Sequence, residues 1–338
     1  MMKLMKAIII SESGGFDNLK FVEREIPPVR EFEVRVQWKA SSLNYHDLLV
    51  AKGIIPVSEG RIPMSDGAGI IVEVGKKVKE FKAGDKVMSL FFPDWVSGPP
   101  DRKKTTAISG ESVDGYSVEY SNLPESSITH IPDDYTYAEA ATLPCAALTA
   151  WRALVVEGKI EPGNKVLIEG TGGMSVFALQ IARSFGAVVY ATSSSKRKAE
   201  ILKTMGAVAV VNYKEDPKWG KTIYKLSEGG VDHVLDVGGA ATFSNSVDAV
   251  KIDGFIASIG ILGGPKGEIV FPKLFFKQIS VKGLAVGSAQ MQRDMVQSIN
   301  THRWKPIIDK TFSFENLKSA FEYQESGKHF GKIIIEYD

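Results

Sequence analysis

The chain has 338 residues, which is too long for one ordinary hydrophobic core and predicts two domains. Hydrophobic residues make up 44% and charged residues 24%, as in ordinary soluble globular proteins. The 41 basic and 40 acidic residues leave a net charge of +1, so no basic excess indicates a nucleic-acid partner.

Cysteine content and hydropathy restrict the possible class of protein further. The single cysteine, Cys145, excludes an intrachain disulfide and a four-cysteine zinc lobe, and it fits a reduced, cytoplasmic compartment. The segment MMKLMKAIIISESGG carries Lys3 and Lys6 within a short apolar part, so we expect no signal peptide. No apolar stretch approaches about 20 residues, so we expect no membrane-spanning helix and no membrane partner.

The first part of the sequence predicts strands. Short β-branched runs are separated by Gly, Pro and charged turns: KAIII, FEVRVQW, GAGIIVEVG and GDKVMSL. This pattern favours an all-β unit such as a small barrel. From Phe92 to Tyr116, prolines stand among polar residues, which predicts a long loop and a candidate substrate lid. The aromatic residues Phe91, Phe92 and Trp95 either cap an apolar substrate or bury this loop against the barrel.

The pattern changes at about residue 131. TYAEAATLPCAALTAWRALVV is Ala-rich and predicts helix, after which short apolar strands alternate with helices. Such alternation predicts a doubly wound parallel sheet covered on both faces. After about Lys282 the pattern is mixed, and the closing FGKIIIEYD predicts a strand that rejoins the first domain. We thus predict an α/β domain over residues 131–284 and an all-β domain over residues 1–130, completed by about 285–338.

The sequence VLIEGTGGMSVFALQIA, from Val166 to Ala182, carries the clearest functional signal. An apolar strand enters a glycine cluster that continues as an amphipathic helix. Glycines let the backbone amides at a helix N-terminus approach a pyrophosphate, so this context predicts a dinucleotide cofactor in a Rossmann domain. The alternative is a glycine turn that binds nothing. The candidate phosphate-binding positions are Gly170, Gly172, Gly173, Met174 and Ser175.

The choice between NAD and NADP depends on the end of the second strand, where an NAD site carries an acid for the ribose hydroxyl. The segment ATSSSKRK, from Ala191 to Lys198, has serines and basic residues but no acid, which suits a 2′-phosphate. We predict that Ser194 and Lys198 bind this phosphate, with Tyr213 packed close by, and that the cofactor is NADPH. Alternatively, the segment is a solvated helix start with a serine as its N-cap, and the missing acid still argues against NAD.

Over nearly its whole length, the sequence resembles the medium-chain dehydrogenase/reductase superfamily. The segments that carry the resemblance follow the family order: the β-rich front, GDKV, LPCAALTAW, GTGGMS, SSSKRK, GVDHVLDVGG and HFGKIII. The resemblance implies a GroES-like catalytic domain and a Rossmann domain, with the active site in the cleft between them. Relatives usually dimerise by joining Rossmann sheets at their edges, which implies a homodimer. The strand-like segment GEIVFPKLFFKQISVKG would supply that edge; alternatively, FPKLFF is a short apolar helix.

Zinc-dependent members of this family carry metal ligands that the sequence largely lacks. Asn44 stands at the position of the first cysteine and Ser65 at that of the histidine, and only the second cysteine remains, as Cys145. Amide and hydroxyl groups do not replace thiolate and imidazole on Zn²⁺. The resemblance therefore implies a zinc-independent branch, similar to quinone oxidoreductases and enoyl reductases.

Another set of metal ligands consists of His46, Asp47, Asp66 and Cys145. Their spacing is no known zinc pattern. We expect Asp47 and Asp66 to be hydrogen-bonded structural carboxylates and Cys145 to be a buried small hydrophobe, and we predict no bound metal.

Without a Lewis acid, hydrogen-bond donors must stabilise the negative charge that hydride transfer creates. Quinones and α,β-unsaturated carbonyls suit this chemistry because they delocalise that charge. The candidate donors are Asn44, which would face the nicotinamide, Tyr45, and His46, which occupies a proton-relay position of the family. Alternatively, His46 forms a salt bridge to an acid such as Asp47, and Tyr45 packs in the core.

The resemblance also implies further cofactor contacts. These are Thr149 in the nicotinamide pocket, the backbone near Val237, Gly238, Gly260 and Ile261, and Leu284 to Val286 at the carboxamide. The predicted function is NADPH-dependent reduction of a quinone or an α,β-unsaturated carbonyl. The alternatives are a non-catalytic NADPH-binding protein and a zinc alcohol dehydrogenase with degenerate ligands.

Overall fold

A computed structural model describes residues 3–11 and 14–337 of the chain. The strands are β1 Leu4–Ile10, β2 Leu19–Glu25, β3 Glu33–Ser42, β4 Gly67–Val74, β5 Lys86–Ser89, β6 Tyr120–Pro124, β7 Ile128–His130, β8 Lys165–Glu169, β9 Val188–Thr192, β10 Ala207–Val211, β11 Val231–Asp236, β12 Val250–Ser258, β13 Ser280–Gly283, β14 Ile308–Ser313 and β15 Lys332–Glu336. The α-helices are α1 Tyr45–Ala51, α2 Arg102–Thr106, α3 Tyr137–Ala141, α4 Leu148–Trp151, α5 Gly173–Ser184, α6 Lys196–Thr204, α7 Trp219–Leu226, α8 Phe243–Ala249, α9 Phe271–Phe276, α10 Ala289–His302 and α11 Leu317–Glu325. Wider π-helical turns flank α4, at Leu143–Ala147 and Arg152–Glu157.

The chain divides into two compact units, one of residues 1–148 with 286–338 and one of residues 149–285. The second unit therefore begins 18 residues later than the predicted boundary of 131. The helical segment before it packs on the first unit, because α3 lies against β3 and β4 and Ser42 Oγ donates to the Ala141 carbonyl at 2.8 Å. The Ala-rich composition of this segment predicts a helix but does not indicate that the helix packs on the strands of the first unit.

The first unit is built on a seven-stranded sheet with the order β14-β15-β3-β4-β5-β7, and β6 also pairs with β3. Alternation along β3 buries Val34, Val36 and Trp38, which is the half-buried pattern expected from FEVRVQW. The closing strand β15 pairs antiparallel with β3, so the C-terminal segment rejoins this unit as predicted.

The predicted loop between Phe92 and Tyr116 contains the short helix α2 and is anchored by its aromatic residues. Phe91, Phe92 and Trp95 are 6%, 4% and 0% exposed. The indole of Trp95 donates to the Gly98 carbonyl at 2.9 Å. Of the two interpretations of these aromatic residues, the structure favours burial of the loop within its own unit.

The second unit is a six-stranded parallel sheet with the order β10-β9-β8-β11-β12-β13. Apolar runs fill its central strands because helices cover both faces, and Leu167, Val234 and Ile256 are fully buried. The strand order reverses between β8 and β11, and ligands of such sheets bind at this switch point, beyond the carboxyl ends of the strands. This is the predicted doubly wound Rossmann arrangement.

The apolar segment near the end of the sheet is a helix followed by a strand. FPKLFF forms α9, with Pro272 in its first turn, and only Ser280–Gly283 forms the edge strand β13. The helical alternative thus holds for FPKLFF. The longest helix among the described residues is α10, with 14 residues. No helix of this part of the chain is long and apolar enough to cross a membrane.

Candidate functional site

A buried polar cluster in the first unit contains Asn44 and Ser65, the two positions at which the sequence predicts lost zinc ligands. Asn44 precedes α1 and Ser65 lies shortly before β4, and they are 7% and 0% exposed. Asp47 accepts the backbone N–H of Asn44 on Oδ2 and that of Ser65 on Oδ1, each at 2.9 Å. The side-chain Nδ2 of Asn44 donates to Ser65 Oγ at 3.1 Å. The structure thus brings these two predicted positions into direct contact.

The cluster also holds a buried cation that the sequence analysis missed. Lys332, at the start of β15, is only 3% exposed. Its Nζ donates to Asn44 Oδ1 at 2.6 Å and to the Leu43 carbonyl at 2.8 Å, and it lies 3.7 Å from Asp66 Oδ2. The sequence feature that indicates this buried cation is a lysine at the start of an apolar strand, KIIIE. A strand whose residues enter the core carries its first side chain into the core with them.

Asp66 is the buried counter-charge of this cluster. Its Oδ2 lies 2.9 Å from Ser42 Oγ, whose hydroxyl hydrogen is shared between this oxygen and the Ala141 carbonyl, and its backbone carbonyl accepts a hydrogen bond from Ser41 Oγ at 2.6 Å. Burial raises the pKa of Asp66 to about 6, although the ammonium of Lys332 opposes that effect. Asp66 and Asp47 are therefore hydrogen-bonded carboxylates, as expected.

The donor chemistry of the cluster does not fit Zn²⁺. The thiol of Cys145 stays protonated, because burial and then the charge of Asp66 raise its pKa well above the ordinary value. Cys145 as a residue is half-buried rather than fully buried as expected. The amide of Asn44 already accepts from an ammonium group. Within residues 3–11 and 14–337, no three His, Cys, Asp or Glu side chains converge as a metal site, and the alternative ligand set is not assembled.

His46 forms an ion pair with an acid distant in sequence. Its Nε2 lies 2.7 Å from Glu111 Oε2, whereas its Nδ1 lies 3.6 Å from Asp47 Oδ1. Burial alone would lower the pKa of His46, but Asp47 and Glu111 outweigh it and raise the pKa above 6.5. The salt-bridge interpretation is thus correct, with Glu111 as the closer partner, which no spacing pattern indicated. Tyr45 is 40% exposed, so its alternative role in core packing is wrong.

In the second unit, the glycine loop follows β8 and opens α5. Gly170 has φ +74°, a conformation that favours glycine, and its N–H donates to the Thr192 carbonyl at 3.0 Å. Gly172 has an ordinary φ of −73°, and a Cβ placed there would meet open space. Packing therefore does not explain this glycine, whereas close approach of a phosphate does. The loop fits a dinucleotide, with Gly173, Met174 and Ser175 in the first turn of α5.

The serine-rich segment lies beside the glycine loop. Glu169 and Thr192, the last residues of β8 and β9, are paired in register, so both loops leave the same edge of the sheet. Ser195 caps α6 by accepting the Lys198 backbone N–H at 3.3 Å. The N-cap interpretation thus applies to Ser195, while the predicted phosphate residue Ser194 lies before the cap and is half-buried. Lys198 is half-buried, and Tyr213 is 42% exposed.

Four other predicted cofactor positions follow the remaining strands at the same edge: Gly238 after β11, Gly260 and the 47%-exposed Ile261 after β12, and Leu284 after β13. The predicted nicotinamide-pocket residue Thr149 is buried within α4. A Cβ on Gly260 would lie 2.4 Å from the Val237 carbonyl oxygen, so close packing of two loops by itself requires this glycine. Val286 belongs to the first unit and has φ +45°, a strained conformation for a β-branched residue.

A buried pair of carboxyl groups at this edge was not predicted. Ser246 Oγ lies 2.7 Å from Glu169 Oε1 and 2.7 Å from Asp236 Oδ2. Burial, and then the charge of Asp236, raises the pKa of Glu169 to about 8. A hydroxyl has one hydrogen and can donate to only one of them, so the arrangement holds one further proton at neutral pH.

Comparison with known proteins agrees with this architecture. Residues 30–133 match the family described as alcohol dehydrogenase GroES-like domain, and residues 173–301 match the family described as zinc-binding dehydrogenase. A zinc-type alcohol dehydrogenase-like protein of Schizosaccharomyces pombe is 40% identical, over 99% of both chains. An acryloyl-coenzyme A reductase of Sulfurisphaera tokodaii is 26% identical, over 98% of this chain and 100% of its own.

Solved structures give the same answer. A Sinorhizobium meliloti protein described as an alcohol dehydrogenase superimposes with a TM-score of 0.93 at 36% identity, over 99% of both chains. An NAD-dependent alcohol dehydrogenase superimposes with a TM-score of 0.90 at 31% identity, over 98% of this chain and 99% of its own. The two family matches and these relatives, which align over nearly the whole chain, show that the protein belongs to the medium-chain dehydrogenase/reductase superfamily of nicotinamide-dependent oxidoreductases.

Proposed function

We propose that the protein is an NADPH-dependent reductase of quinones or α,β-unsaturated carbonyls that works without zinc. The observation that carries this proposal is that Asn44 contacts both Ser65 and the ammonium of Lys332, since the resemblance implies zinc ligands at positions 44 and 65 in zinc-dependent relatives. These groups supply hydrogen bonds and one positive charge but no metal-binding lone pairs of the kind that Zn²⁺ prefers. The similarity to an acryloyl-coenzyme A reductase supports an activated alkene as acceptor.

The proposed cofactor is NADPH. The end of β9 carries Ser193, Ser194 and Ser195 with basic residues and no acid, which favours a 2′-phosphate over a free ribose hydroxyl. One relative is named as NAD-dependent, so both nicotinamide cofactors belong in the test.

When bound, the nicotinamide would supply the hydride, and the residues of the chain would supply orientation and charge stabilisation. The side-chain amide of Asn44 has one N–H on Ser65 Oγ, and its second N–H, which also interacts with the Asp66 carboxylate, would bind the acceptor oxygen. As negative charge grows on that oxygen, this hydrogen bond strengthens. His46, whose pKa Asp47 and Glu111 raise, would be the proton source for the enolate or quinolate anion.

Turnover with matched cofactors tests the proposal. Oxidation of NADPH and NADH would be followed with 9,10-phenanthrenequinone, 1,2-naphthoquinone and short enones, beside ethanol with NADP⁺ or NAD⁺. We expect quinone or enone reduction that prefers NADPH and is unchanged after dialysis against a chelator. Chelator-sensitive alcohol oxidation, with one zinc per chain by elemental analysis, would refute it. Binding of NADPH without turnover of any acceptor would favour a non-catalytic role.

We further propose that the protein is a homodimer joined at β13. This strand is the edge of the six-stranded sheet, and each of its four residues is exposed. In helix α9, which directly precedes β13 in the chain, Phe271, Phe275 and Phe276 are 66%, 60% and 76% exposed, and exposed apolar side chains favour association with another chain. Light scattering after gel filtration is expected to give twice the chain mass of 36.9 kDa for the wild-type protein. The double variant Val281→Lys, Phe276→Lys is expected to give the mass of a single chain.

A further inference from the structure

Lys332 makes an unusual use of a buried ammonium group. Its side chain crosses from the last strand, β15, to the segment before α1, where it meets one carbonyl, one amide oxygen and one carboxylate. Burying a charge is costly unless it is paired and hydrogen-bonded. An ammonium group has three N–H donors, and the two acceptors within hydrogen-bond distance are the Leu43 carbonyl and Asn44 Oδ1, whereas the Asp66 carboxylate lies 3.7 Å away. The shortest of the three contacts goes to the side chain of Asn44, at 2.6 Å.

This contact fixes which way the Asn44 amide points. An ammonium group donates only, so the atom facing Lys332 must be the oxygen Oδ1, and Nδ2 must face the other way. Ser65 Oγ receives one Nδ2 hydrogen at 3.1 Å. The second hydrogen, which also interacts with the Asp66 carboxylate and lowers the pKa of that group, is the one side-chain donor that Asn44 has left for an acceptor oxygen, and its direction is set by the amide plane.

The same contact polarises the amide. A cation on the oxygen draws electron density away from nitrogen, and a hydrogen bond to a charged group is about twice as strong as one between neutral groups. In a buried cluster such polarisation passes along a chain of hydrogen bonds. Lys332 therefore makes Asn44 a stronger donor to an oxygen that gains negative charge.

We propose that Lys332 is a positioning residue for reduction. By contacting Asn44, it orients and polarises the amide N–H that stabilises the acceptor oxygen. This inference rests on the proposed function, and it adds a residue at the opposite end of the chain to that site. Lys332 itself does not touch the acceptor in this proposal, so its effect on turnover passes entirely through Asn44.

A double-mutant cycle on kcat tests this route. Asn44→Ala is expected to lower kcat about 100-fold, as for the loss of an oxyanion donor. Lys332→Met is expected to lower kcat by about 10- to 100-fold, and the double variant to be no slower than Asn44→Ala alone. The dissociation constant for NADPH, measured by fluorescence, is expected to stay within about twofold in all three. Lys318→Met, which removes an exposed ammonium of the same unit, is the matched control.

Lys332→Met leaves the carboxylate of Asp66 buried without its cation, and the variant can fail to fold for that reason. The cycle is then repeated in an Asp66→Asn background, where cation and counter-charge are removed together. In ¹⁵N-labelled protein, the side-chain amide signal that Asn44→Ala deletes is expected to shift in the Lys332→Met variant, whatever the turnover.

The outcomes separate the two proposals. If the wild-type protein reduces no acceptor, the proposed function fails, and the inference fails with it. If Asn44→Ala is slow but Lys332→Met keeps the wild-type kcat, the inference alone is overturned. It is also overturned if Lys332→Met slows the Asn44→Ala variant by the same factor as it slows the wild type, because the lysine then acts through the fold.

Discussion

Replacing Glu169 by glutamine is expected to stabilise the protein at alkaline pH and to change its stability little at pH 5. Glu169 is 3% exposed at the end of β8, and burial together with the charge of Asp236 raises its pKa to about 8. One hydroxyl, that of Ser246, lies 2.7 Å from both acids, so one acid must itself be a donor. We assign Glu169 as that donor, because burial and the charge of Asp236 raise its pKa.

The sign and size of the effect follow from proton linkage. In the unfolded chain, Glu169 loses its proton near the ordinary pKa of 4.5, whereas the folded chain keeps it until about pH 8. Stability due to this group therefore falls as pH rises between those values, by up to about 1.4 kcal/mol per pH unit. Over the whole window the loss is a few kcal/mol, with a ceiling of about 5 kcal/mol. Above pH 8 it levels off.

Glutamine matches the protonated acid without titrating. Its Nε2 can donate to Ser246 Oγ, and its oxygen can accept the N–H groups of Val237 and Gly238, which lie 3.3 and 3.4 Å from Glu169 Oε2. Thermal unfolding at pH 5 and pH 8.5 is the assay, with the exposed Glu161→Gln as control. We expect a rise in Tm at pH 8.5 of about 2–4 °C for each kcal/mol regained. A Tm difference that is equal at both pH values would refute the shared proton.

Further predictions concern the cofactor loops and the imidazole. Gly172→Ala is expected to weaken NADPH binding about tenfold with little change in Tm, because the added Cβ meets open space. Gly170→Ala, at φ +74°, is expected to lower the free energy of unfolding by about 1 kcal/mol. Calorimetry of NADPH binding and of unfolding distinguishes these two effects. Lys198→Ala is expected to raise the dissociation constant for NADPH about tenfold and to leave that for NADH unchanged, as measured by fluorescence titration. Glu111→Gln is expected to lower the pKa of His46, because a raising charge is removed, and an NMR titration of the imidazole would contradict this if the midpoint stayed in place.

The fold followed from the sequence where periodicity and composition are local signals. The alternating strands and helices after residue 160 predicted the parallel sheet, and the glycine and serine loops fell at the ends of β8 and β9 because βα turns in such a sheet must reach that edge. The boundary between units was misplaced, since α3 carries no sequence mark of the strands on which it packs. FPKLFF was ambiguous for a related reason, because a six-residue apolar run has no distinctive period.

The partners of the site residues were beyond sequence reasoning for a different reason. Lys332 is 288 positions from Asn44, and Glu111 is 65 positions from His46, so only the strand pairing of β15 with β3 and the fold of the loop after β5 bring them together. Periodicity shows that a side chain is buried, not which distant group it meets. A lysine before an apolar strand is nevertheless a usable signal, because a charge carried into a core requires an acceptor somewhere in the chain.

These long-range contacts also explain why the altered ligand positions belong together. An asparagine alone at position 44 would leave its amide free to take either orientation, and a serine alone at position 65 would only remove a ligand. With Lys332 on the amide oxygen and Ser65 on the amide nitrogen, each neighbour specifies one end of Asn44. The ammonium supplies a positive charge at a site whose buried carboxylate, Asp66, requires one. In the proposed function, the contacts that hold Asn44 thus orient the hydrogen-bond donor that reduction of a charge-delocalising acceptor would need.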